Sequence, residues 1–228
     1  MTTRAAHRAA TTERIMDAAR RQLAEVGASG LSLRSVAREI GMVSSAVYRY
    51  VESRDELLTR LIIEAYDSLG SATEEAARQH VDDTDLDRWT ATACAVRSWA
   101  LDHPHDYLLL YGSPVPGYAA PDDTVAPGTR VTFALLSVLR DAAIAGRLEP
   151  VPLPDDHGAE LAHDLDQLAR LVDVEATDAA VLAFLAAWTQ LFGLIGFELT
   201  NQTRGMTTDH AALFRSTTAA MGHHMGLR

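Results

Sequence analysis

The residues best suited to chemistry on a charged polymer lie between Ser32 and Arg54. Downstream of Gly41, the residues Ser45, Tyr48 and Arg49, with Ser44 at the flank, fall on one side of a short amphipathic segment. Val43, Ala46, Val47 and Val51 fall on the other, with Tyr50 close to them. Hydroxyls and a planar guanidinium can donate to phosphate oxygens and to base edges, which an aliphatic row cannot do. Ser53 and Glu56 have the spacing of a capping box. Arg54 then faces the positive end of a helix dipole. A phosphate accepting from Arg54 and from the free backbone N–H groups would resolve that conflict.

Three helices must hold this surface. Ile15, Ala18, Ala19, Leu23 and Val26 share one face of a helix predicted from about Thr11 to Val26 and ended by Gly27. A second helix starts at Ser32, a good N-cap residue, and buries Val36, Ala37 and Ile40 before Gly41 stops it. The third covers about Val43 to Tyr50, and a fourth runs from Ser53 toward Gln79. Helix, glycine turn and helix together form a helix-turn-helix. Arg4 and Arg8 precede the first helix, either as an arm that orders against DNA or as an idle tail.

This head resembles the N-terminal domain of the TetR/AcrR transcriptional regulators. The residues that carry the resemblance are Ser32, Val36, Ala37, Ile40, Gly41, Met42, Ala46, Val47, Tyr48, Tyr50, Ser53, Arg54, Glu56, Leu57 and Leu58. Three positions depart from the family pattern. Val43 stands for the usual Ser or Thr, Val51 for Phe, and Arg54 for Lys. The resemblance implies that the third helix enters the major groove while the second crosses the backbone. It implies base-edge contacts from Ser45, Arg49 and Arg34, and phosphate contacts from Ser32, Ser44, Tyr48 and Arg54. The Tyr50 hydroxyl could reach a phosphate as well.

The remaining chain reads as helical too. Helices are predicted over about Leu86–Leu101, Tyr107–Tyr111, Gly128–Ala145, Ala159–Val172, Thr177–Asn201 and His210–Met225, with a Pro-containing linker over Val151–Asp156. The expected fold is therefore all-α. A helix-turn-helix domain over 1–53 precedes a helical effector-binding and dimerisation domain over 54–228. Trp89, Trp99, His103, Tyr107, Tyr111, Tyr118, Trp188 and Phe192 are aromatic or polar-tipped residues that either fill a core or line an apolar cavity. The family resemblance implies an effector pocket there. The run from Trp188 to Gly193 also resembles a Trp-x-x-x-His-Gly motif of one family branch, with Phe192 in the His position.

The last two predicted helices are apolar around much of their circumference, and one subunit cannot hide them. A twofold partner presenting the same pair would cover them. Leu191, Leu194, Ile195, Leu199, Leu213, Phe214, Thr217 and Met221 are the expected interface residues. In the resembled family such helices form a four-helix dimer bundle.

Charge and composition narrow the classes. The net charge is −11, yet residues 1–60 carry +3 and residues 61–228 carry −14. A mildly basic head on an acidic body can still bind DNA, because the contacted face sets the local field. One cysteine, Cys94, excludes internal disulfides and multi-cysteine metal sites. The alternating Asp83, Asp85 and Asp87 lack the glycine and closing Glu of a calcium loop. The His pairs lack the spacing of a helical metal site, and no nucleophile elbow or phosphate-binding glycine loop occurs. No metal, cofactor or enzymatic activity is expected. No uninterrupted apolar run of membrane-spanning length and no secretory signal is read, so a cytoplasmic protein is expected. The reading is a ligand-responsive dimeric regulator, a repressor released from palindromic double-stranded operator DNA by a small apolar or aromatic effector. The alternative is a helical small-molecule-binding protein or enzyme whose head no longer reads DNA.

Overall fold

The computed structural model describes residues 2–149, 158–171 and 177–228. The described residues form ten α-helices and no strand: α1 Thr2–Gly30, α2 Leu33–Glu39, α3 Ser44–Val47, α4 Arg54–Gln79, α5 Asp85–Asp102, α6 Pro104–Tyr111, α7 Val125–Ile144, α8 Ala159–Leu171, α9 Asp178–Leu199 and α10 His210–His224. The fold is all-α, as the periodicities required. The linker expected over Val151–Asp156 lies outside the described residues.

The chain divides into two compact units. The first comprises Met1–Asp67 with His103–Pro127, and the second Ser68–Asp102 with Gly128–Arg228. In the first unit the apolar stripe of α1 (Ile15, Met16, Ala18, Ala19) meets Leu33, Val36 and Ala37 of α2, Val47 of α3 and Leu57, Leu58 and Leu61 of α4. Val51 is fully buried among them, so the smaller residue still plugs the core. Leu109, Val115 and Tyr118 pack on the same cluster, and the Tyr118 hydroxyl lies 2.9 Å from that of Thr59.

Three local expectations are corrected. The basic segment before Thr11 is neither arm nor tail but the N-terminal end of α1. Gly27 does break the helix, with φ 69°, but the chain turns helical again up to Gly30. The regular part of α3 is only Ser44–Val47, and i→i+3 bonds carry it on, Arg49 N–H donating to Ala46 at 3.3 Å and Tyr50 N–H to Val47 at 2.8 Å.

The second unit is built on contact of α5 with α9 and α10. Trp89 is fully buried, packs edge-on against Phe184, and donates its indole N–H to the Thr218 carbonyl at 2.9 Å. Val96 and Ala100 of α5 and Leu191 and Ile195 of α9 complete the interior with Val131, Leu135 and Leu139 of α7. Arg97 of α5 forks onto Glu198 of α9, its Nε donating at 2.7 Å. Thr177 and Asp209 cap α9 and α10 by accepting from Ala180 N–H and Ala212 N–H. At 22 residues α9 is long and apolar enough by composition to cross a membrane, although polar residues interrupt it, and part of it is buried in the fold.

Candidate nucleic-acid interface

The surface that could meet DNA is the outer side of α2, α3 and the turn after α3. Gly41 makes this geometry possible, because its φ of 70° lies in the left-handed region that side chains resist. The inner side of α3 is anchored by Val47, which is fully buried. The opposite side leaves Ser45, Tyr48 and Arg49 exposed, with Ser44 half-buried at its edge. Tyr48 is 46% exposed, so its ring and hydroxyl stand on the outer surface. Arg34 on α2 is exposed as well, and Ser32 stands at the α2 N-cap with its side chain making no cap bond.

Two residues depart from their expected places. Val43 was expected on the inner face, but it precedes α3 in an extended conformation and is 69% exposed. A helical wheel begun one residue early turns it inward by mistake. Its methyl groups join the outer surface, where an apolar contact can read a thymine methyl. Arg54 needs no phosphate to resolve its conflict with the α4 dipole. Its guanidinium donates to the carbonyls of Leu31 at 3.1 Å, Ala28 at 3.0 Å and Ser29 at 3.3 Å, tying α4 to the end of α1. Ser53 accepts from Glu56 N–H at 3.0 Å as a capping box requires, but the Glu56 carboxylate returns to Glu52 N–H rather than to that of Ser53. Tyr50 is half-buried, and the Arg8 guanidinium lies over its ring.

Arg38 was missed by the sequence reading. It is exposed on the outer face of α2, held at 3.3 Å to Ser35 Oγ, and its position four residues after Arg34 could have signalled it.

The expected effector residues divide between the two units. His103 (the α6 N-cap), Tyr107, Tyr111 and Tyr118 belong to the first, and Trp89, Trp99, Trp188 and Phe192 to the second. In the first unit Tyr111 meets Tyr66 edge-on at 6.2 Å and Tyr107 at 5.1 Å between centroids, and burial pushes all three phenols above their ordinary pKa. In the second, Trp188 stacks near Phe192 at 4.9 Å and donates to Thr132 Oγ1 at 3.2 Å, while Trp99 donates to Ser68 Oγ at 2.9 Å. A groove of about 470 Å³ in the same unit is lined by Arg78, Arg88, Arg130 and Arg140, whose guanidiniums are paired with Glu75, Asp141 and Glu74. Among the described residues no cluster of His, Cys, Asp or Glu is placed to hold a metal.

The expected dimer residues divide as well. Leu191, Ile195, Phe214 and Met221 are buried within the single subunit, so the first three cannot be what a partner covers. Leu194, Leu199 and Thr217 are half-buried and Leu213 is exposed. The open face of α9 instead carries Ala186, Gln190, Gly193 and Phe197 at helical spacing. A depression of about 330 Å³ beside it is lined by Ala183, Ala187, Thr217, Ala220, Met221 and His224.

Comparison with known proteins decides what this head is. The family model described as bacterial regulatory proteins, tetR family, matches residues 15–61, and that described as tetracyclin repressor-like, C-terminal domain, matches residues 89–221. The chain belongs to the TetR family. HTH-type transcriptional regulators of Mycobacterium tuberculosis (Rv1816) and Mycobacterium bovis (Mb1846) are each 40% identical to this TetR-family chain over 212 residues, covering 90% of it and 88% of their own length. The crystal structure of the regulatory protein SCO4313 superposes with a TM-score of 0.74 at 37% identity, covering 96% of this chain and 98% of that one. RolR, solved in complex with resorcinol, shares the fold alone, with a TM-score of 0.55 at 15% identity over 95% of this chain and 89% of that one. Transcription regulation through DNA binding is thus the function of the family to which these helices belong.

Proposed function

We propose that this TetR-family chain is a homodimeric, ligand-responsive repressor of the cytoplasm. Its α3 surface enters the major groove of a palindromic operator. The observation that carries this reading is the outward presentation of Ser45, Tyr48 and Arg49 on a segment whose inner side is locked into the core by Val47 and Val51. Ser45, Arg49 and Arg34 read base edges, joined by the exposed Val43. Ser32, Ser44, Tyr48 and the Tyr50 hydroxyl contact phosphates. Arg54 acts first as a tie to the carbonyls that end α1, with any phosphate contact made by its exposed edge. The DNA-reading part ends near residue 53, and the remainder serves effector and dimer.

The open face of α9 with α10 forms the dimer contact, with Leu194, Leu199, Leu213 and Thr217 at its border. Two subunits then set two α3 segments about one helical turn apart on DNA. The effector is a small apolar or aromatic molecule. Each unit offers it aromatic residues: His103, Tyr107, Tyr111 and Tyr118 in one, and Trp99, Trp188 and Phe192 in the other. Trp89, with its N–H bonded and its ring covered, is assigned to packing. The effector acts by binding one spacing of the two heads better than the other, and so draws the population away from the DNA-binding state.

A mobility shift with the promoter region adjoining the protein's own gene tests the reading. Retarded DNA that a small phenol or related aromatic releases would support both halves. Failure to bind that region or any selected duplex would favour an effector-binding protein whose head no longer reads DNA.

A further inference from the structure

The DNA reading leaves Arg8 unexplained. It was expected in an arm or an idle tail before the first helix, yet it sits on helical α1 and reaches back to the end of α3. Its Nη2 donates to the Arg49 carbonyl at 3.3 Å, and its guanidinium carbon lies 5.3 Å from the centre of the Tyr50 ring. From the other side, Arg60 of α4 donates to the next carbonyl, that of Tyr50, at 3.0 Å, and is itself held by Glu56. At the opposite end of the motif, Arg14 of α1 donates to the Ile40 carbonyl at 2.9 Å, just before the glycine turn.

These carbonyls are the groups that a short helix leaves without partners. The last carbonyls of a helix also carry the negative end of its dipole, where cations are favourable. Four residues of regular helix are too few to hold their own pitch in water. The backbone at the end of the recognition segment, on which the Arg49 side chain stands, is therefore held from outside by guanidiniums on two flanking helices.

We propose that Arg8 is a positioning residue for DNA reading. It clamps the C-terminal end of the recognition segment through the Arg49 carbonyl and the Tyr50 ring, with Arg60 as the opposing jaw. The proposal rests on the DNA-reading face assigned above. Its competitor is the simpler role, in which the Arg8 charge meets a phosphate directly.

The test uses the full-length protein and a 30-base-pair duplex that the wild type has selected from a random-sequence pool. Affinity is measured for that duplex and for an unselected one of equal length, across a series of salt concentrations. Each subunit of Arg8→Ala loses one exposed cation–π contact, so the dimer should lose roughly tenfold in affinity for selected DNA. Affinity for unselected DNA should hold, and the melting temperature should fall by no more than about 4 °C. The salt slope should also hold, whereas a lost phosphate contact would flatten it by about 0.9 per subunit. In a Tyr50→Leu background, which removes the platform, the Arg8→Ala loss should shrink to about twofold or less, because the two residues act as one unit. In Tyr50→Phe it should stay roughly tenfold, since the ring remains.

A flattened salt slope, equal losses in both backgrounds, or unchanged binding would overturn the proposal. The salt slope of Arg8→Ala alone decides should Tyr50→Leu fold poorly. Arg49→Ala separates the two levels. If it abolishes selective binding while Arg8→Ala does not change it, only the clamp fails. If neither variant has an effect, the DNA-reading face fails with it.

Discussion

The indole of Trp89 occupies the space where a β-carbon on Gly222 would stand. A Cβ at that position would lie 2.9 Å from Trp89 Cδ1 and 2.5 Å from Leu86 Cδ1. α10 can approach α5 this closely because position 222 carries no side chain, and the approach is what lets the indole N–H reach the Thr218 carbonyl. Gly222→Ala should therefore destabilise the protein by about 1–3 kcal/mol through overpacking, despite the better helix propensity of alanine. Urea denaturation followed by tryptophan fluorescence measures this. A variant as stable as the wild type would mean that α5 and α10 do not lie so close.

Arg97 and Glu198 make a bidentate ion pair whose side chains are 16% and 15% exposed. The hydrogen bond to Glu198 raises the pKa of the Arg97 guanidinium, so the charge is held in place. Glu198→Ala leaves that charge without its partner and should cost about 3 kcal/mol. Replacing both residues with Met and Leu should recover most of the loss. Equilibrium unfolding of the two variants checks the order, and equal losses would show that the pair does not act as a unit.

Glu74 sits beside Arg130, which donates to it at 2.8 Å, and that hydrogen bond holds its carboxyl below the ordinary range. A carboxylate with a lowered folded-state pKa stabilises the fold above its unfolded value of 4.5, and that stabilisation is lost as pH falls through the folded pKa. Glu74→Gln should thus narrow the difference in melting temperature between pH 6 and pH 3.5 by a small but measurable amount. The pair is substantially exposed, which keeps the effect modest. An unchanged pH dependence in the variant would remove Glu74 from the acid response.

Charge placed on the open face of α9 should separate subunits without unfolding either one. Phe197 is 58% exposed, so Phe197→Glu should lower the molar mass seen by light scattering from dimer to monomer while the helical signal persists. Phe214→Glu should instead unfold the subunit, because Phe214 is already buried beneath the Arg97 guanidinium. A Phe197→Glu protein that stays dimeric would place the interface elsewhere.

Much of this architecture could be read from the sequence, because its helices announce themselves with caps and glycines. Thr177 and Asp209 stand at the α9 and α10 N-caps, and the predicted spans of α5, α7, α9 and α10 lie within a few residues of those observed. What periodicity could not supply was tertiary. α9 is apolar on nearly every side, so nothing in its pattern distinguishes Leu191 and Ile195, which face inward, from Phe197, which does not. The extension of α1 to Thr2 carries alanines and polar residues with no apolar stripe, and therefore no helical signal. The partners of Arg8, Arg14 and Arg54 are carbonyls far along the chain, and no local rule reveals them.

The central claim is that the face bearing Ser45, Tyr48 and Arg49 reads DNA. Selection of duplexes from a random-sequence pool, repeated with Tyr48→Ala and Arg49→Ala, tests it most directly. The wild type should enrich an inverted repeat whose affinity falls steeply with salt. Both variants should remain dimeric and fully helical while losing roughly tenfold or more for the enriched sequence. Enrichment of the same repeat with undiminished affinity by both variants would contradict the assignment of this face.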